Sequence, residues 1–487
     1  MKIRTLGDVM TPLNPKSLEE WKRYQQDLMA SVRFSSSVDL LHHDAPLNAR
    51  VFDAVEYDGF VVEKVIFQSL PGFYVTGNLY RPKDTSKKYP AILNPHGHWQ
   101  HGRIETVDLA RIPQRCANLA LRGMVAFIYD MIGYNDSRQI PHENFDPAWE
   151  DWLYGRFSLQ LNNSVKAVDF VSSLPYVDET RIGCTGCSGG GTQTYFLSVI
   201  DPRIKAAAPI NMASVRMQGG CQCENTAFLR TKYSNIDYVM AIAPRPLFLS
   251  GADGDWTVSS ETVEFPAVEH VYELYGKQEN FEHFYQHAPH CYNLPIRERV
   301  YDFFCRHFGL ENLLKNEVDL EIDTEKLLIG DIRPYVPAEG FIENDEQLFA
   351  LVKAIIKKNL ARLSEDEHAK IEKRVFCLDD PGDLDIPYAY GNWWTPNEML
   401  IGRCPEPMDD TIVQYPHTYY IAEDARRVGA LVKLFREYPA YTFKAGGKSA
   451  ALCEIAARFV PETKTELTDI DRSAIRIPGI ALTETYQ

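Results

Sequence analysis

The sequence predicts an α/β fold: a mostly parallel sheet with helices on both faces, followed by a smaller unit of the same kind. Two observations carry this. Short apolar runs recur along the first 310 residues, with helical periodicity between them. The runs AILNP (91–95), IKAAAPI (204–210) and RPLFLS (245–250) read as strands buried on both faces, as in parallel sheets. In such sheets, chemistry gathers in loops at the carboxyl ends of strands.

The elements follow in order. Ser17 caps an amphipathic helix through SLEEWKRYQQDLMA. A connector with proline and histidines runs from Leu40 to Asp53. VVEKVIFQS (61–69) and FYVTGNLYRP (73–82), joined by a turn, predict an antiparallel hairpin. AILNP ends in HGHWQHG; a helix through CANLALRG and the strand MVAFIYD (124–130) come next. A helix over 158–174 leads to the strand RIGCTG and a helix opening near Gly190. The helical stretch HVYELYG (270–276), the strand FEHFYQHA (281–288) and the helix 294–310 close the unit. The texture then becomes charged and linker-like, up to an amphipathic helix over 345–363. Residues 380–417, rich in Pro, Gly and aromatics, carry few periodic signals. The stretch from YYIAED to AARF predicts strand, helix, the strand YTFKA (441–445), a glycine turn and a helix. The expected domains are a helical extension (1–50), a catalytic unit (51–312), a linker (313–344) and a smaller α/β unit (345–487).

The 487 residues carry a formal charge of −16, which makes phosphate backbones and anionic lipid poor partners. A neutral or cationic small substrate suits that charge better. The first residues lack the apolar core of a signal peptide, and no apolar run approaches the ~20 residues that span a bilayer. The expectation is a soluble, cytoplasmic chain, or a secreted or periplasmic one if a signal has been removed. Ten cysteines need not form a disulfide framework at this length. Cys184 and Cys187 make a CxxC, and Cys221 and Cys223 a CxC. A zinc site needs four ligands in usable geometry. The first pair falls in a strand and a tight turn, so the cysteines read as small buried side chains and no metal is expected.

The segment RIGCTGCSGGGTQT places Ser188 between a strand and a helix, with Gly186 and Gly190 flanking it in the G-x-S-x-G pattern. In such an elbow the serine sits in a strained turn, its Oγ clear of the sheet, and the next amides open a helix. An activated serine needs a base and a residue that orients it. His290 follows the last strand, with His287 as its rival. Asp255 and Asp253 both follow RPLFLS, and Asp255 begins a D-x-x-V that commonly opens the next helix. The order Ser188, Asp255, His290 is that of an α/β-hydrolase. NPHGHWQHG follows the first central strand. There Gly97 allows close approach, and the amide of His98 joins that of Gly189 as an oxyanion donor, each worth ~3 kcal/mol at the transition state.

Six stretches resemble the acetyl xylan esterase-like branch of the α/β-hydrolases, related to dienelactone hydrolases and prolyl oligopeptidases: PGFYVTGNLYRP, ILNPHGHW, SLPYVDETRIGCTGCSGGGTQT, NMASVRMQGGCQCEN, APRPLFLSGADGDWT and HAPHCYN. The resemblance covers about residues 45–310. It implies a serine esterase with the triad Ser188, Asp255 and His290 and no cofactor, deacetylating a carbohydrate or an oligosaccharide ester. It also implies that Trp99, Glu224, Arg230 and Trp256 occupy positions around the site, as substrate contacts or packing. The triad alone equally serves a peptidase or another acyl esterase; a silent carbohydrate-binding scaffold is a third reading, which the intact triad argues against. The loop MQGGCQCEN (217–225) is expected to overhang the pocket. Trp393 and Trp394 are a sugar platform or packing, and Gly447-Lys448-Ser449-Ala450-Ala451 is an elbow-like echo with a structural role.

Overall fold

A computed structural model describes residues 9–478, apart from 144–148, 150, 151, 153, 218, 231, 386–387, 391–396, 403 and 405–415. Helix α1 (Leu18–Ser36) is capped by the Ser17 side chain, which accepts from the amide of Glu20. Strands β1 (Arg50–Glu56), β2 (Phe60–Leu70), β3 (Phe73–Pro82) and β4 (Tyr89–Leu93) follow, then α2 (Ile112–Leu121), β5 (Val125–Tyr129) and α3 (Arg156–Ser172). Next come β6 (Val177–Cys187), α4 (Gly189–Ile200), β7 (Ile204–Ile210), α5 (Asn235–Met240), β8 (Leu247–Gly254), α6 (Glu264–Tyr275), β9 (Phe281–Pro289) and α7 (Leu294–His307). The sheet order is β1-β2-β3-β5-β4-β6-β7-β8-β9. The first four strands in that order pair antiparallel, and the rest, from β5 across to β9, are parallel.

Both faces are covered, as the unbroken apolar runs require. In β5, Val125, Phe127 and Tyr129 join a core with Trp21 of α1 and with α3, α4 and α6. Ala126 and Ile128 face the other way, into a core with α2 and α7.

The second unit holds α8 (Asp345–Leu360), α9 (Glu365–Val375), β10 (Tyr388–Tyr390), β11 (Glu398–Ile401), α10 (Pro416–Glu437), β12 (Thr442–Gly446), α11 (Gly447–Ala457) and β13 (Lys464–Thr468). Its four strands form a sheet in chain order, parallel from β11 onward. The strand expected at YYIA is instead part of α10. Pro416 suits the first helical position, where its missing N–H costs nothing.

The stretch between the units is packed rather than loose. Leu327, Ile332 and Ile342 are buried, and the amide of Ile342 donates to the carbonyl of Gly72 at 3.0 Å. The core of the second unit is continuous with Leu70, Phe73, Trp149, Trp152 and Tyr154 of the first. Among the described residues no helix is long and apolar enough to cross a membrane.

Candidate active site

Ser188 is the single residue between β6 and α4, with φ 60° and ψ −128°. A side chain is rarely held there, so the turn is strained. The elbow is fixed by the amide of Ser188 on Ile210 of β7 (3.3 Å) and by the carbonyl of Ser188, which accepts from Thr192 of α4 at 3.0 Å. The loop after β4 lies directly against it. A Cβ on Gly97 would stand 2.6 Å from the carbonyl oxygen of Cys187 and 2.9 Å from Cβ of Ser188, so only glycine fits. Gly189, first residue of α4, has an amide with no partner within its own helix.

Strand register brings the other two candidates together. Gly254 of β8 and Pro289 of β9 are paired, and Asp255 and His290 are the next residues on each strand. Nδ1 of His290 lies 3.1 Å from Oδ2 of Asp255, whose side chain is closed to solvent. Asp255 also accepts from the amide of Trp256 (2.6 Å) and the hydroxyl of Thr257 (3.1 Å). The Trp256 ring lies 4.3 Å from that of His290. Nε2 of His290 points back to the elbow, 3.9 Å from Sγ of Cys187. Burial works against a charge on His290, but the neighbouring Cys187 and the hydrogen bond to Asp255 outweigh it and push the imidazole up to about 10. The rivals pair with each other: His287 Nδ1 meets Asp253 at 2.6 Å, with the His287 side chain 92% exposed.

Of the other expected residues, Glu224 and Arg230 are buried. Glu224 accepts from the amides of Gly220 (2.6 Å) and Cys221 (3.1 Å). Arg230 donates to the Glu224 carbonyl, Asn225 and Asn235 at 2.6, 2.6 and 2.8 Å. These bonds hold residues 219–225 in shape beside the elbow. Trp99 is half-buried against the core under α2 and α7. Trp393 and Trp394 lie outside the described residues. Ser449 of the elbow-like echo is buried and donates to the carbonyl of Gly402 at 2.8 Å, and Lys448 pairs with Asp424 at 2.9 Å.

Cys184 and Cys187 are buried, whereas Cys221 is half-buried and buried Cys223 faces imidazole rather than core. Nε2 of His98 lies 3.2 Å from Sγ of Cys223, and Nε2 of His142 lies 3.2 Å from Sγ of Cys221. The four ligand-capable atoms are all within 4.8 Å of one another. The hydrogen bond to Cys223, opposed by burial and joined by His142 and His98, holds the Cys221 thiol far below its usual range. Sequence reasoning weighed Cys184 and Cys187 as partners for the CxC and passed over the histidines, because only folding brings 98, 142 and 221–223 together.

Residues 18–212 match the acetyl xylan esterase family (AXE1). The chain has the α/β-hydrolase fold, and this part of it is similar to the acetyl xylan esterases. Within that family resemblance, YtaP of Bacillus subtilis (strain 168), named as a hydrolase, is 26% identical over 179 residues, 34% of this chain. The match spans only 57% of that relative. The structure of Methylesterase BT1017 superposes with a TM-score of 0.59 at 26% identity, over 74% of this chain and 78% of that one. A glucuronoyl esterase from Solibacter usitatus aligns at a TM-score of 0.46 and 14% identity, over 63% of this chain and 99% of that one.

Proposed function

We propose that this chain hydrolyses carboxylic esters of carbohydrates through an acyl-enzyme on Ser188. The observation that carries the reading is the Asp255–His290 pair, its carboxylate closed to solvent and Nε2 of its imidazole facing Cys187, the residue before Ser188. His290 takes the proton of Ser188 as Oγ attacks the ester carbonyl. The amides of Gly189 and His98 receive the oxyanion. As the tetrahedral intermediate collapses, His290 gives that proton to the leaving alcohol. A water molecule then repeats the sequence and releases the acid. Asp255 fixes the tautomer with the proton on Nδ1 and stabilises the imidazolium.

The likeness to acetyl xylan esterases favours an acetyl group on a sugar hydroxyl; the likeness to a methylesterase favours a methyl ester. One mechanism serves both, and only the part of the substrate that leaves first differs. Acetylated xylo-oligosaccharides and methyl uronates, assayed side by side, separate the two. The mechanism is tested with p-nitrophenyl acetate: Ser188→Ala is expected to lose at least ~10³-fold in kcat. Equal rates in the two proteins remove Ser188 from the reaction.

A further inference from the structure

We infer that His98, His142, Cys221 and Cys223 bind one zinc ion beside the elbow. Zinc–sulfur and zinc–nitrogen bonds of about 2.3 and 2.0 Å at a tetrahedral centre imply ligand-to-ligand edges of about 3.3–3.8 Å. The two nitrogen–sulfur contacts at 3.2 Å, in a set of atoms all within 4.8 Å, are close to those edges. Two thiolates and two imidazoles are a set that selects zinc over magnesium or calcium. The ring of His142 is already oriented for it: its Nδ1 lies 2.8 Å from the carbonyl oxygen of Ile132, so Nδ1 carries the proton and Nε2 keeps its lone pair for the cluster. Both cysteines bind as thiolates, and their two negative charges cancel the charge of the ion. His98 remains open to solvent, which supplies a route of entry.

Four protein ligands leave no open position, so the ion is structural rather than a Lewis acid for substrate. Its ligands come from three loops, those after β4, β5 and β7. The His98 ring also lies against Gly189, where a Cβ would stand 2.9 Å from Cε1. The ion therefore ties residues 221–223 to the wall of the elbow. This site does not depend on the esterase reading.

The test is the metal content of the full chain, purified under reducing conditions without chelator. About one zinc per chain is expected, falling below about a tenth in Cys221→Ser and His142→Gln and staying whole in Ser188→Ala. Because a ligand variant can misfold, the wild-type chain is also stripped and titrated with Co²⁺. Thiolate-to-metal charge transfer in the near ultraviolet and strong tetrahedral d–d bands in the visible are expected. A wild-type chain with no zinc and no such spectrum overturns the inference, as does a Cys221–Cys223 disulfide found by mass spectrometry in the freshly purified protein. Metal content is read whether or not any ester is cleaved, so the two proposals fail separately.

Discussion

Two acid–histidine pairs lie within a few residues of each other, and environment separates them. Asp255 is closed to solvent and His290 three-quarters so, whereas His287 stands in water. A hydrogen bond between exposed partners is screened and holds no fixed geometry. Asp253→Asn and His287→Asn are therefore expected to leave kcat within about twofold, while Asp255→Asn lowers it by about 10⁴. The same pair sets the pH dependence. Asp255, through its hydrogen bond and its charge, is among the groups that raise His290. A general base must be neutral, and a base that holds its proton more tightly needs a higher pH to be so. The acidic limb of kcat/KM is expected to have its midpoint above 6.5, and Asp255→Asn, through its residual activity, to move it down. A wild-type midpoint at or below 6.5 contradicts this.

At the scale of elements, the site is a set of strand ends brought level by register. The loop after β4 reaches the elbow only because residue 97 has no side chain. Gly97→Ala forces Cβ into the carbonyl of Cys187, which cannot move without shifting β6. The expected result is a loss of about 10² in kcat from displaced amides, with unchanged far-ultraviolet circular dichroism. An unaltered rate contradicts the close approach. Ser188, Asp255 and His290 were legible because each follows an apolar run that reads as a strand, and because a serine among glycines has few structural uses. Other elements were not. β1, RVFDAVE, is an edge strand with mostly exposed residues and no apolar run. β13, KTELT, alternates charge with threonine and leucine and resembles a turn. The aromatic start of α10 fits either period, and only the 22-residue helix decides it. α9 did carry a readable signal, the reciprocal bonds of Ser364 and Glu367, hidden in a run of charges. The cluster of His98, His142, Cys221 and Cys223 left one trace, the CxC, since its other members are distant in sequence.

For the molecule as a whole, the question is what fastens the segment between the two units. A buried cluster does so. Arg103, fully buried, pairs with Asp130 and Asp136 and donates to Asn78 (2.7 Å) and to the carbonyl of Leu327 (3.2 Å). Asp136 accepts from the amides of Ile329 and Gly330 at 2.9 and 3.0 Å, and Asn78 donates to Leu327 at 2.9 Å. One guanidinium thus holds two carboxylates, and one of them, Asp136, holds the segment beside β3 and the end of β5. Burial pushes Asp130 up to about 6 even with Arg103 present, so the arginine only partly offsets the cost of that charge. Arg103→Met leaves two buried carboxylates facing each other without a cation, a change that costs about 3–5 kcal/mol. The sign with pH follows. With the folded pKa of Asp130 above its unfolded value, the penalty is full at high pH and fades as pH falls and the carboxyl takes up a proton. Arg103→Met is therefore expected to lower the unfolding midpoint strongly at pH 8 and less at pH 5, and to open residues 325–332 to limited proteolysis before either unit unfolds. A deficit that is equal at both pH values, or a segment that stays resistant, shows that the apolar contacts of Leu327 and Ile332 fasten it without the ion cluster.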